Sequence, residues 1–254
     1  MPIRKKSERY FYFICFIIIS TLVLPPFFRP AEADENSLRT EIHKQIEYAD
    51  SLMRVQEIDS AIVIGSEAEV SAQEAFGLYD TTTARIFHRM GVYYYLLAEY
   101  IGAMNQWGIA YKIRKQVLGD NHPDVAILLN NMANLKWNTG DYDESERLYR
   151  DAIDIWKESL GPDHPDIALS IDGLATLCWS EGRYSEAESL FLNALEIREK
   201  AYGPNHEEVA TTLNNLAILY DDQGKYDKTE KMYLRALDIW EKTLGENLVL
   251  HQQE

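Results

Sequence analysis

The chain repeats itself at a constant step of 42 residues. Leu118-Gly119-Asp120-Asn121-His122 returns as Leu160-Gly161-Pro162-Asp163-His164 and again as Tyr202-Gly203-Pro204-Asn205-His206, and the same glycine falls at Gly77 and Gly245. A fixed period of this size marks an array of modules, each too small to bury its own apolar face and each packed on its neighbours. Arrays of this kind present a surface rather than a catalytic pocket.

One module can be read as physics. Pro123 suits the first residue of a helix, where its missing N–H costs nothing, so Asn121 or His122 is the expected cap. Val125, Ala126, Leu128, Leu129, Met132, Ala133 and Leu135 follow at helical spacing. Thr139-Gly140-Asp141 interrupts the pattern, with Gly140 placed for a left-handed turn. Leu148, Tyr149, Ala152, Ile153, Ile155 and Trp156 then outline a second helix, which stops at Gly161-Pro162. Each module is therefore helix, tight turn, helix, longer loop.

The register holds across copies. The turn glycine is Gly140, Gly182 and Gly224, followed two residues on by Tyr142, Tyr184 and Tyr226, with Tyr100 in the earlier copy. Small residues sit at Ala103, Ser145 and Ala187, with Thr229 in the fourth copy, and an alanine at Ala68, Ala110, Ala152, Ala194 and Ala236. The small residues are expected to let helices approach closely, with the tyrosine filling the space beside them. Residues 34–76 keep the alanine but lose the glycines, and are expected to be a degenerate capping repeat. Four clear repeats follow at 77–118, 119–160, 161–202 and 203–244. Residues 245–254 form a tail or partial repeat, in which Leu248, Val249 and Leu250 could cover the last apolar face or dock on a neighbour.

Leu129-Asn130-Asn131-Met132-Ala133, Leu213-Asn214-Asn215-Leu216-Ala217, Gly224-Lys225-Tyr226 and Ala194-Leu195-Glu196-Ile197-Arg198 together resemble the tetratricopeptide repeat in its 42-residue, kinesin-light-chain form. The resemblance is strong over residues 77–245 and weak over 34–76. It implies an all-α fold, a right-handed superhelical solenoid of stacked antiparallel helix pairs, whose first helices line a concave groove that holds a protein or peptide. No sustained heptads accompany the repeats, so the motor-docking role of kinesin light chains does not carry over.

On that resemblance the inward positions are His88 and Arg89, Asn130 and Asn131, Asp172 with Gly173, and Asn214 and Asn215, joined by Asn134. Asparagine in mid-helix costs roughly 0.6 kcal/mol relative to alanine. Its amide both donates and accepts, so these residues either grip a peptide backbone or tie neighbouring helices together. Tyr95, Trp137 and Trp179 form a second row, read either as aromatic anchors for a partner or as inter-helix packing. His88 with Arg89 is expected to supply a positive end. Trp156 and Trp240, in second helices, read as packing residues.

Recurrent His122, His164 and His206 read as loop structure, because equivalent positions lie roughly 10 Å apart, too far to converge on one ion. No phosphate-binding loop, nucleophile motif or zinc-ligand spacing occurs, so neither enzyme activity nor a cofactor is expected. The net charge of −16 opposes binding to nucleic acid.

Arg4, Lys5 and Lys6 precede the apolar run from Tyr10 to Leu24, Pro25-Pro26 ends it, and Ala31-Glu32-Ala33 follows. A basic head, a short apolar stretch and an A-x-A tail predict a signal peptide over 1–33, cut after Ala33, and a secreted or periplasmic chain that leaves the membrane after cleavage. The alternative is an N-terminal membrane anchor, since Phe27-Phe28 extends the apolar stretch. Cys15 and Cys178 are the two cysteines; cleavage leaves Cys178 alone, without a disulfide partner. A scaffolding subunit of a cell-envelope assembly, self-associating by end-to-end stacking of its terminal repeats, is the alternative role.

Overall fold

The computed structural model describes residues 34–250, with side chains through Thr243. The signal-peptide reading falls on residues 1–33, outside the described residues. The chain divides into two compact units, Met1–Glu41 and Ile42–Glu254. In the first, Asp34 accepts the Ser37 N–H at 2.8 Å and Arg39 pairs with Glu35 at 2.7 Å. The second carries the array.

Among the described residues every regular element is a helix: α1 Glu35–Arg54, α2 Ile58–Phe76, α3 Thr81–Leu96, α4 Tyr100–Leu118, α5 Pro123–Asn138, α6 Tyr142–Leu160, α7 Pro165–Ser180, α8 Tyr184–Tyr202, α9 Glu207–Asp222 and α10 Tyr226–Leu250. Starts of α3, α5, α7 and α9 are 42 residues apart, as are those of α2, α4, α6, α8 and α10. From α3 onward each first helix packs antiparallel on its second, and from α2 onward each second helix packs on the first helix of the following pair. The chain is a solenoid of stacked helix pairs.

Local chemistry sets these boundaries. Asp80 caps α3 by accepting the Thr82 N–H at 2.7 Å. In the later pairs a histidine does the same work: Nδ1 of His122, His164 and His206 accepts the N–H of Asp124, Asp166 and Glu208 at 3.1, 3.3 and 3.2 Å. The cap of α5 is thus His122, not Asn121, and the three rings serve helix starts. Between the helices of a pair the chain turns through a left-handed residue. Gly140 holds φ 80° there, whereas Gln56 and Ala98 hold φ 63° and 57° at the same register. A side chain in that region costs roughly 1–2 kcal/mol.

The alanine column is sealed: Ala68, Ala110, Ala152, Ala194 and Ala236 are all fully buried, with Ala103, Ser145 and Ala187 beside them. Ser145 donates its hydroxyl to the Ala133 carbonyl at 2.9 Å, tying α6 to α5. Tyr100 is half-buried against the core, but the later repeated tyrosines do not fill this space. Tyr142, Tyr184 and Tyr226 are exposed, because they are the first residues of their helices, at the outer edge of the pair. The filling is done by Trp107, Tyr149 and Phe191, half-way along α4, α6 and α8 and all buried. Glycine makes room for two of them. A Cβ on Gly91 would meet Trp107 at 2.3 Å, and one on Gly173 would meet Tyr149 at 2.4 Å.

The array ends differently from how it begins. Where α3 buries Phe87, Met90 and Tyr93, α1 carries Gln45, Tyr48 and Ser51 at the same register. At the other end α10 does not turn at Gly245 but continues to Leu250, so residues 245–250 lengthen that helix. Tyr233 and Leu237 of α10 are 40% and 49% exposed, and Trp240 is half-buried.

Candidate functional site: the surface of the first helices

Side chains run from one first helix to the next in a ladder. Arg85 meets His43 Nδ1 at 2.8 Å, and Tyr93 donates to Asp50 at 2.6 Å. Asn131 meets His88 at 2.9 Å, and Asn138 donates to Tyr95 at 2.6 Å. Trp137 donates to Ser180 at 3.4 Å and Trp179 to Asp222 at 2.7 Å. The row Tyr95, Trp137, Trp179 is therefore half-buried packing with its polar atoms engaged; Tyr95 also lies 5.6 Å from the Trp107 ring. Asp221, which continues the row, is exposed.

The expected positive end is absent, and the cause is burial. His88 is held well below the usual imidazole range, at about 3, first by desolvation and then by the charges of Arg114 and Arg89. It is neutral at physiological pH. Arg89 is ion-paired with Asp50, its Nε 3.1 Å from Oδ1. The ring is held from both sides: Nδ1 lies 3.4 Å from the Arg114 guanidinium, and Nε2 faces the Asn131 amide nitrogen Nδ2 at 2.9 Å.

Arg114 itself was invisible to reasoning about the first helices alone. It rises from α4, its side chain 7% exposed, and donates to the Asp124 carbonyl at 2.8 Å. Two repeats later Arg198 of α8, 4% exposed, pairs with Asp172 and Thr212 and lies 3.3 Å from Glu208. Asp172 is thus a counter-ion from a buried pair. Burial pushes its carboxyl up to about 6 although the Arg198 charge pulls the other way, and its Oδ1 has no hydrogen-bond partner among the described residues. The two positions alternate together: His88 with Arg114, Asn130 with Trp156, Asp172 with Arg198, Asn214 with Trp240, always 26 residues apart. Reading second helices in register with first ones would have exposed this signal.

The asparagines divide. Asn130 accepts from Ser170 at 2.8 Å and Asn134 accepts from the Tyr149 hydroxyl, so both tie helices together. Asn131 has one side committed to His88. Asn214 and Asn215 of α9 are half-buried, and among the described residues their amides make no hydrogen bond. Half-buried Ile218 stands one turn on from Asn214 in α9, and Leu169 of α7 is 47% exposed. Between Asn131 and Asn215 the row holds Gly173, where Tyr149 fills the space of a side chain. The arrangement offers amide donors and acceptors, which suit an extended backbone.

Among the described residues no group of three or more histidine, cysteine or acidic side chains could hold a metal ion, and no helix is long and apolar enough to cross a membrane.

Comparison with known proteins agrees with this geometry. No curated protein matches the chain. Among solved structures, BtubC (BKLC) from P. vanneervenii is similar with 21% identity and TM-score 0.73, over 84% of each chain. A kinesin-light-chain-type protein from Podosopora anserina with nearly identical TPR-like repeats is similar with 18% identity and TM-score 0.65, over 81% of this chain and 97% of that one. The apo form of RapI is similar with 20% identity and TM-score 0.67, over 82% of this chain and 73% of its own. Tetratricopeptide-repeat family models match residues 83–124, 124–192 and 168–242. With helix pairs, period and family match in agreement over more than half its length, the chain belongs to the tetratricopeptide repeat family.

Proposed function

We propose that this protein is an exported recognition module that holds an extended protein or peptide segment along α5, α7 and α9, with its main grip at the α9 end. The observation that carries this is the unbonded pair Asn214 and Asn215. An amide in mid-helix costs stability, and every other asparagine of the row recovers that cost through a bond to a neighbouring helix. Among the described residues the α9 pair recovers none of it, whereas an extended backbone would satisfy both amides. Leu169 and Ile218 then supply apolar contact. A Rap protein of the same fold, 18% identical, is known in complex with Competence and Sporulation Factor, so this scaffold is one that holds a separate ligand.

Panning the full chain against an array of extended peptides tests the reading. Asn214→Ala with Asn215→Ala should cost about tenfold or more in affinity for the peptides selected, with a melting temperature no lower than the parent's, since alanine is the better helix former. An unchanged selection by the double variant would sink the reading. Export is tested separately: the N-terminal residue of the chain recovered from the extracytoplasmic fraction should be Asp34.

A further inference from the structure

The end of α10 repeats, residue for residue, a face that is covered elsewhere in the array. On α8 that face is Glu188, Phe191, Leu195 and Glu199; on α10 it is Glu230, Tyr233, Leu237 and Glu241. Phe191 and Leu195 are buried, while Tyr233 and Leu237 are 40% and 49% exposed. The acids differ in the same way. Glu188 takes Lys225 at 3.1 Å, Lys228 at 2.9 Å and the Tyr220 hydroxyl at 2.9 Å, all from the following pair, and Glu199 takes Arg235 of α10 at 2.5 Å. One pair earlier Glu146 takes Arg183 at 2.7 Å. Glu230 and Glu241 are exposed, and among the described residues they make neither ion pair nor hydrogen bond.

We propose that the α10 face is a second docking surface, independent of the first-helix groove, and that its occupant is an amphipathic helix of another protein, with an apolar stripe flanked by arginine or lysine. The internal junctions define this chemistry: apolar side chains over Tyr233 and Leu237, cations on Glu230 and Glu241 in the places that Lys225, Lys228 and Arg235 take on α8. A second copy does not supply it. In the first pair the residues equivalent to Lys225, Lys228 and Arg235 are Glu57, Ser60 and Glu67, which would set acid against acid. Two α10 faces meeting would likewise oppose Glu230 and Glu241 to their own copies, and like charges at an interface are a strong barrier to a wrong partner.

Two synthetic helical peptides of about 18 residues, with one leucine stripe but flanked by arginine or by glutamate, test this by titration into the full chain. The arginine peptide should bind and the glutamate peptide should not. Leu237→Asp should abolish binding, and Glu230→Lys with Glu241→Lys should weaken it by about tenfold or more and transfer preference to the glutamate peptide. Leu192→Asp on α8, and Asn214→Ala with Asn215→Ala in the groove, should leave it intact, so that loss in the groove variant alone would indict the groove and not this face. Equal binding of both peptides, survival of binding after charge reversal, or a concentration-dependent dimer dissolved by Leu237→Asp would overturn the proposal.

Discussion

His88 shows how far a residue's meaning depends on neighbours out of its own helix. Beside Arg89 it reads as half of a basic site; in the fold, burial first and then the Arg114 charge make a charged imidazole too costly. Its pKa is depressed in the fold, so its contribution to stability is present above the free-histidine value of 6.5 and is lost as pH falls through that value toward about 3. Two outcomes follow. The His88 imidazole resonances should keep their neutral positions down to pH 5, and His88→Gln should remove part of the acid-side slope in urea stability. A titration midpoint near 6.5 would contradict the burial described. Ala98 carries a simpler prediction. It stands at φ 57° where the later turns use glycine, so Ala98→Gly should raise stability by about 1 kcal/mol, and Gly140→Ala should lower it by a similar amount, read from denaturant midpoints.

Helices were legible because their boundaries are written twice, by periodicity and by punctuation. Pro123 and Pro165 mark the starts, Gly119 and Gly161 the stops, and the structure places α5 and α7 where those residues put them. The histidine caps were only half legible. A ring nitrogen is a rare cap acceptor, and position alone could not separate Asn121 from His122. Because Asp80 does the same work in α3, His164→Asp should leave the melting temperature nearly unchanged, while His164→Ala should cost about 1 kcal/mol. Side-chain engagement was the least legible layer. Asn130 and Asn214 are the same residue at the same register, yet one meets Ser170 and the other makes no hydrogen bond among the described residues. The difference lies in what stands 40 residues further along: Ser170 for the first, no described first helix for the second. The tyrosine column failed for a related reason, since recurrence shows that a position matters without showing which way it points.

At the scale of the whole molecule the two ends are chemically unlike. Stacking shields each apolar flank with the next pair, so stability is close to a sum of pair and junction terms. At the first pair the outward register is Gln45, Tyr48 and Ser51; at the last it is Tyr233 and Leu237. The array is therefore extensible in one direction. A duplicate of residues 203–244 grafted after Leu244 would bring its own Lys225 and Arg235 counterparts to waiting acids and should raise the urea midpoint. The same cassette grafted ahead of α1 would have to entomb amide and hydroxyl groups and should lower it. A builder inserting an extra cassette would find waiting partners on the α10 face and none on α1, so the acids of one helix set the side on which it can be received.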